Sequence, residues 1–293
     1  MFDRLLADPL VREHFTALSD SIENAMGGQL REAASDNASC FRNTHAQPLI
    51  CLYQMSVWSA LRTAGIVPSL VAGYSLGELS AWGVAGALRP ADVIALARLR
   101  AQAMDACTPP EGGMLAVQGW RGNAIEALAR QHGASIAIRN GDGHVVLAGP
   151  LESLARVEAT LQGSSARVVR LRVSVPAHSP WQAAAVPLLR HALELTALKA
   201  PEMPVLAGID GQPRYRPTDA IDCLSRQLME TIEWAQAMTV AVEMGTSCFF
   251  EIGPGNALSR LLRAQYPQVE VRAIDDFAAL DGAIAWMRQR VPA

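Results

Sequence analysis

Lysine is almost absent from this chain, because Lys199 is the only lysine among its 25 basic residues. The other basic residues are arginines, and 28 acidic residues outweigh them to leave a formal net charge of −3. Nucleic-acid-binding proteins typically carry a clear excess of basic charge. The sequence therefore predicts no nucleic-acid partner.

Cysteine is scarce, and its spacing is irregular. The five cysteines are scattered along the chain and form no Cys-x-x-Cys pair. Zinc sites and disulfide frameworks usually need such pairs or an even set at regular spacing. We expect neither a metal site nor disulfides, and a reducing cytoplasmic location.

Long apolar runs without polar interruption are also missing. Charged residues break up the first twelve positions, so no signal peptide is expected. Residues 66–88 contain one charge, Glu78, but Pro68 and several glycines favour a buried strand and helix over a membrane span. With 293 residues, half of them apolar, the chain is long enough for one large domain or two smaller ones.

The most informative motif is Gly-Tyr-Ser-Leu-Gly at residues 73–77, between a short apolar strand and a helical apolar pattern. The same string occurs by chance in loops, but this context predicts a sharp elbow. Such an elbow exposes the hydroxyl of Ser75 at a helix N-terminus, where N–H groups can stabilise an oxyanion. We expect a Cβ at Gly73 or at Gly77 to obstruct the turn. Glu78 is interpreted as complementing the helix dipole, not as a catalytic acid.

Helical and strand patterns alternate along the chain, which predicts an α/β fold with a hydrolase-like, mostly parallel sheet flanked by helices. Residues 112–175 differ, because their order β-α-β-β-α-β is that of a ferredoxin-like unit. A turn signal at residues 140–143 separates the two middle strands. We therefore predict a large subdomain of residues 1–111 and 176–293, with the ferredoxin-like subdomain inserted in it.

Two further residues are candidates for chemistry beside the serine. His178 follows a strand and a proline-bearing loop, where ligands of open α/β sheets bind; the alternative is a loop histidine that caps the next helix. Arg100 lies on the second helix after the strand. Its side chain is either solvated at the surface or directed inward, where the planar guanidinium group could bind a carboxylate.

Four segments resemble malonyl-CoA:acyl carrier protein transacylases in order and spacing, from about residue 10 to residue 275. They are residues 73–78, the helix of Arg100, residues 173–178 (Val-Ser-Val-Pro-Ala-His) and residues 251–255 (Glu-Ile-Gly-Pro-Gly). The resemblance implies a ping-pong acyl transfer in which Ser75 is the nucleophile and His178 its general base and acid. Arg100 then binds the free malonyl carboxylate.

The same resemblance assigns three supporting roles. The backbone carbonyl of Gln227 orients the histidine, the N–H of Leu76 is an oxyanion donor, and Asn140 lies near the pocket. It also implies malonyl-CoA as substrate, no tightly bound cofactor, and an acyl carrier protein partner that bears a phosphopantetheine or CoA-like group.

Two departures from the family pattern qualify these roles. Most members have His where this chain has Tyr74, and residues 73–83 look closest to the transacylase (epsilon) subunit of bacterial malonate decarboxylase, which implies other subunits of that enzyme as partners. A first strand with a Gly-Gln-Gly turn, which supplies the second oxyanion donor, has no counterpart at the start of the chain. Losing one donor costs about 10²–10³ in rate.

Three alternatives remain open at this point. The chain could serve fatty-acid or polyketide synthesis as a malonyl transacylase. It could be a serine hydrolase or thioesterase, which would need a carboxylate partner for His178 and no Arg100. It could also be a non-catalytic subunit that binds a carrier protein.

Overall fold

A computed structural model describes residues 7–26, 39–109, 111–120 and 122–290. The α-helices of these residues are α1 (Pro9–Met26), α2 (Asn43–Thr63), α3 (Leu76–Val84), α4 (Pro90–Cys107), α5 (Gly122–Gln131), α6 (Leu151–Leu161), α7 (Ala185–Glu194), α8 (Pro217–Arg226), α9 (Trp234–Glu243), α10 (Ala257–Gln265) and α11 (Leu280–Arg288). The strands are β1 (Val71–Ala72), β2 (Gly112–Gln118), β3 (Ser135–Gly141), β4 (His144–Pro150), β5 (Arg167–Arg170), β6 (Val205–Leu206), β7 (Pro213–Arg214), β8 (Cys248–Glu251) and β9 (Glu270–Ala273).

The strands of the larger part alternate with helices, which confirms the predicted α/β class. β1 pairs in parallel with β6, which pairs antiparallel with β7, and β8 pairs in parallel with β9. Within the described residues these strands form two separate sheets. The sequence predicted that the start of the chain lacks a strand and a Gly-Gln-Gly turn. Residues 1–6 of this segment lie outside the described residues.

The main core forms where α2, α3 and α4 meet. Four residues of α2 at helical spacing form one apolar face and are all buried: Leu49, Tyr53, Val57 and Leu61. The three helices approach each other closely at Gly83 of α3. A Cβ there would lie only 2.7 Å from the Val93 side chain of α4 and 2.8 Å from Met55 of α2, so only glycine fits without a shift of these side chains. This packing holds the helix that follows the elbow rigidly in the core.

The inserted unit is a four-stranded antiparallel sheet of order β3-β4-β2-β5. With α5 between β2 and β3 and α6 between β4 and β5, this is the predicted ferredoxin-like arrangement. The unit has its own apolar core, which includes Leu115, Ile125, Leu147 and Leu154. The domain boundaries at residues 112 and 175 stay a prediction.

The ferredoxin-like sheet is joined to the larger part by backbone hydrogen bonds at one point. The N–H of Arg139 donates to the carbonyl of Ile232 at 2.8 Å, and the N–H of Ile232 donates to the carbonyl of Ala137 at 2.9 Å. The end of β3, including Asn140, is therefore held at the junction of the two parts.

α2 begins at Asn43 and contains Pro48, because burial of the helix outweighs the one hydrogen bond that Pro48 cannot donate. A 3-10 turn, Pro180–Gln182, precedes α7. In the described part of the chain, no helix is both long and apolar enough to cross a membrane.

Candidate active site

The predicted elbow lies between β1 and α3, with Ser75 directly before the first residue of the helix. Ser75 has φ 54° and ψ −114°, and His178 has φ 58°. Within the described ranges these are the only residues other than glycine with positive φ. Such backbone conformations cost about 1–3 kcal/mol each and persist where the surrounding fold holds them, commonly at functional sites. Both strained residues were candidate site residues in the sequence.

The two glycines of the motif have different roles. A Cβ at Gly73 would lie 2.1 Å from the backbone nitrogen of Glu78 and 2.1 Å from the carbonyl carbon of Gly77, so only glycine fits there. A Cβ at Gly77 would meet no atom within 4 Å. The expectation that both glycines are needed is therefore wrong for Gly77, because its position faces open space and not the turn.

The side chains of Ser75 and His178 meet directly. Ser75 Oγ lies 2.6 Å from His178 Nε2, and His178 Nδ1 lies 2.5 Å from the carbonyl oxygen of Gln227. A carbonyl only accepts, so Nδ1 carries the proton and donates it to Gln227. In the neutral ring Nε2 is then an acceptor, and the Ser75 hydroxyl donates to it. This is the tautomer that a general base needs.

The Gln227 carbonyl is available because Gln227 caps the C-terminus of α8. The last carbonyl groups of a helix accept no hydrogen bond from the helix itself, and they lie at the negative end of the helix dipole. The backbone N–H of His178 also donates to the carbonyl of Leu228 at 2.9 Å. Both the ring and the backbone of the histidine are thus held by the segment that follows α8.

The histidine is buried in a site that disfavours its charged form. Burial, together with the positive charge of Arg100, lowers the pKa of His178 to about 3, and the hydrogen bond to the Gln227 carbonyl opposes this shift. The imidazole is therefore neutral at physiological pH and ready to accept the hydroxyl proton.

Arg100 is buried on α4, which rules out the solvated-surface interpretation. Its Nη1 donates to the side-chain oxygen of Gln47 at 2.8 Å, and Gln47 in turn donates to Asn43 Oδ1 at 2.7 Å. Nη2 is buried and has no hydrogen-bond partner among the described residues. Burial lowers the pKa of Arg100 to about 10, so the guanidinium keeps its charge at neutral pH. Arg100 is therefore a buried cation with one hydrogen-bond donor that no described residue occupies.

Glu78 lies in the first turn of α3, where it was predicted to complement the helix dipole, and its side chain is fully buried. Its Oε2 accepts hydrogen bonds from the backbone N–H of Gly208 at 2.8 Å and from Gln227 Nε2 at 3.1 Å. Burial raises the pKa of Glu78 to about 7, although the Gly208 amide and the charge of Arg100 oppose the shift.

Tyr74, which precedes the serine, forms part of the pocket wall. Its ring packs edge-on against Trp234, with ring centroids 5.3 Å apart. Burial raises the pKa of its phenol to about 12, and the neighbouring amide of Asn140 offsets part of this shift. Asn140 is itself buried, and its Oδ1 has no partner among the described residues. The structure thus places Asn140 next to the elbow, as the sequence predicted.

Leu76 is the first residue of α3, where backbone N–H groups have no acceptor within the helix. This is the geometry expected of an oxyanion donor next to the nucleophile. A groove of about 580 Å³ between α4 and α7 is lined by Leu99, Leu188 and other residues, none of them a predicted site residue. The predicted site residues therefore do not line that groove.

Sequence reasoning did not identify three contacts around the candidate site. Gln47, which holds Arg100, and Trp234, which packs on Tyr74, lie in helices where their types carry no local signal. Glu78 was visible as the acidic residue directly after the motif, and only its burial reveals the contact with Gln227.

An α/β fold that holds a serine at a strand-to-helix elbow beside a neutral histidine is the arrangement of serine hydrolases and acyltransferases. Residues 1–279 match the family model of the acyl transferase domain, and the chain belongs to that family. The protein is thus an acyltransferase.

Similar proteins and similar solved structures align with nearly the whole chain. The malonyl CoA-acyl carrier protein transacylase of Salmonella typhimurium is 28% identical over 283 residues, which cover 94% of this chain and 91% of that protein. The crystal structure of FabD from Acinetobacter baumannii superposes with a TM-score of 0.89 and 26% identity, over 98% of this chain and 94% of that one. A type II PKS acyl-carrier protein in complex with its malonyl-transacylase gives a TM-score of 0.88 and 27% identity, over 96% and 94% of the chains.

Proposed function

We propose that this protein transfers malonyl groups from malonyl-CoA to the prosthetic-group thiol of an acyl carrier protein. The observation that supports malonyl over other acyl groups is the buried Arg100, whose Nη2 is unpaired among the described residues. A malonyl thioester differs from an acetyl thioester by one carboxylate. A charge-assisted bond from a buried guanidinium to that carboxylate selects the malonyl group.

In the first half-reaction, Ser75 Oγ attacks the thioester carbonyl carbon while its proton passes to His178 Nε2. The negative charge that develops on the carbonyl oxygen is stabilised by the N–H of Leu76. When the C–S bond breaks, His178 returns the proton to the CoA sulfur. The products are free CoA and a malonyl ester on Ser75.

In the second half-reaction, the carrier-protein thiol occupies the place of CoA. His178 Nε2 takes the thiol proton, and the sulfur attacks the ester carbonyl. The C–O bond to Ser75 breaks, and the proton returns to the serine oxygen. The ester becomes a thioester and the enzyme is regenerated, so the cycle needs no metal ion or further cofactor.

The orientation of His178 supports transfer over hydrolysis by a triad enzyme. The hydrolase alternative needs a carboxylate hydrogen-bonded to the histidine, whereas in the described chain His178 Nδ1 donates to the carbonyl of Gln227. The non-catalytic alternative does not account for the strained, hydrogen-bonded pair of Ser75 and His178.

The similarity to these relatives supports a carrier protein of fatty-acid or polyketide synthesis as the acceptor. The curated relatives are malonyl CoA-acyl carrier protein transacylases, and one similar structure contains a type II PKS carrier protein. The resemblance of residues 73–83, with Tyr74 before the serine, to the transacylase subunit of malonate decarboxylase is the only support for that subunit as a second candidate. Cytoplasmic location remains a prediction in both cases.

Mass spectrometry of the intact protein after incubation with malonyl-CoA tests the proposal. We expect one malonyl adduct on the wild type and none on Ser75→Ala, with Ser80→Ala as the matched control, because Ser80 is buried on the same helix without contacting His178. An adduct that persists in Ser75→Ala would exclude Ser75 as the nucleophile. An ester that water removes before a carrier protein is added would favour the hydrolase.

The malonylated enzyme then distinguishes the two carrier classes. It is mixed with a phosphopantetheine-bearing carrier protein or with one that bears a CoA-like group, and the loss of the serine ester is followed. Faster discharge to the first supports a role in fatty-acid or polyketide synthesis. Faster discharge to the second supports the malonate decarboxylase.

A further inference from the structure

The buried carboxyl group of Glu78 connects the helix that carries the nucleophile to the residue that orients the base. Glu78 lies in the first turn of α3, three positions after Ser75, and is completely buried. Its Oε2 accepts from Gln227 Nε2 at 3.1 Å, and the carbonyl of the same Gln227 accepts from His178 Nδ1 at 2.5 Å. The reaction scheme above makes no use of this carboxyl group.

We propose that Glu78 is a positioning residue: through the Gln227 side chain, it fixes the backbone carbonyl that orients His178 towards Ser75. This inference rests on the proposed acyl-transfer function and adds a residue to the same site. Glu78 touches neither of the reacting side chains. It acts because one glutamine is bound at both ends, by its side chain to α3 and by its carbonyl to the imidazole.

The surroundings of the carboxyl group support a specific contact and not merely a filled volume. Gly208 donates its N–H to the same Oε2 at 2.8 Å, and a Cβ at Gly208 would lie 2.9 Å from that oxygen. The backbone at Gly208 therefore approaches the carboxyl group as closely as a glycine allows. An apolar side chain at position 78 would leave two buried donors, from Gly208 and Gln227, without an acceptor, which is costly.

A competing role for Glu78 is to balance the charge of Arg100. The two groups influence each other, since Arg100 lowers the pKa of Glu78 and Glu78 raises that of Arg100. The roles are separable by a probe that lacks a carboxylate. A contact that orients His178 affects every reaction of Ser75 and requires the Gln227 side chain, whereas charge balance acts mainly on the binding of the malonyl carboxylate and does not require that side chain.

The test measures how fast phenylmethylsulfonyl fluoride labels Ser75, because this neutral probe needs an activated serine and no malonyl group. Glu78→Gln keeps an acceptor oxygen for both donors and should label at close to the wild-type rate. Glu78→Leu should label about 100-fold more slowly, the order of loss expected from a small misplacement of a reacting group. Glu243→Leu, at an exposed position of α9, is the matched control and should label normally.

Gln227→Ala completes a double-mutant cycle, because it removes the side-chain donor and keeps the carbonyl. It should slow labelling as Glu78→Leu does, and the double variant should be no slower than Glu78→Leu alone, since the two side chains act as one unit. Wild-type labelling in Gln227→Ala, or multiplied effects in the double variant, would overturn the proposal even if Glu78→Leu fails to fold. A loss of activity in Glu78→Gln that is confined to malonyl transfer would also overturn the proposal, because it would show that Glu78 acts by balancing the charge of Arg100.

This readout also separates the proposal from the function on which it rests. If the wild type transfers no malonyl group but the labelling rates follow the expected pattern, the function is wrong and the positioning role stands. If malonyl transfer occurs and all variants label alike, the positioning role is wrong and the function stands.

Discussion

His178 Nε2 lies 2.6 Å from Ser75 Oγ although 103 positions separate the two residues in the chain. Both residues have positive φ, a conformation that residues other than glycine rarely adopt. The hydrogen bond therefore depends on two turns that the rest of the fold must hold.

The first prediction separates the two glycines of the elbow. Gly73→Ala should destabilise the protein by about 1–3 kcal/mol or more, because the added Cβ collides with backbone atoms at 2.1 Å that cannot rotate away. Gly77→Ala should leave stability unchanged or raise it by up to about 1 kcal/mol, since alanine favours the helix. Urea denaturation of both variants measures the difference. Equal destabilisation by the two substitutions would contradict the geometry of the elbow.

The second prediction concerns selectivity for the acyl group. Arg100→Ala should reduce acylation by malonyl-CoA about 10- to 150-fold more than acylation by acetyl-CoA, which corresponds to about 1.5–3 kcal/mol for a hydrogen bond to a charged group. Acylation rates of Ser75 with the two thioesters give the ratio. Arg98→Ala, on the same helix and partly exposed, is the control and should leave the ratio unchanged. An equal loss with both thioesters would make Arg100 a structural residue.

The third prediction concerns the pH dependence of acylation. A histidine with the ordinary pKa of about 6.5 would be about three-quarters neutral at pH 7 and only about 3% neutral at pH 5. Because burial lowers the pKa of His178 to about 3, its base form persists at pH 5. Quenched-flow acylation by malonyl-CoA should therefore differ by less than about twofold between these pH values. A fall of about 20-fold would show that the imidazole titrates normally.

The fourth prediction concerns the stability contributed by Glu78. Its pKa is about 7 in the folded protein against 4.5 for a free side chain, so the folded state binds the proton more tightly. The resulting stabilisation is fully present below pH 4.5 and is lost as the pH rises through 7. Glu78→Gln does not titrate, so its stability relative to the wild type should rise by about 2–3 kcal/mol between pH 5 and pH 8.

Urea denaturation of both proteins at the two pH values measures this difference. Glu243→Gln, the same substitution at an exposed position, serves as the matched control. A constant difference between wild type and Glu78→Gln across the range would show that Glu78 is already ionised at pH 5.

The fold was largely predictable because its signals are local. The turn at residues 140–143 and the helix α6 appear where the sequence indicated them, and the order of elements in the ferredoxin-like unit was readable from periodicity alone. Tertiary packing can override local preference. Pro48 lacks a backbone N–H to donate, yet it lies inside α2, a largely buried helix that begins at Asn43.

The candidate site divides in the same way. The sequence by itself determined the elbow, because a strand, Gly73 and a helix that begins directly after Ser75 leave few conformations for the serine. Only the tertiary structure decided that His178 is neutral and aimed at Ser75, that Arg100 points into the protein with one donor unpaired, and that Glu78 holds Gln227. The physical reason is that a turn depends on neighbouring residues, whereas burial, pKa and hydrogen-bond partners depend on groups that only the folded chain brings together.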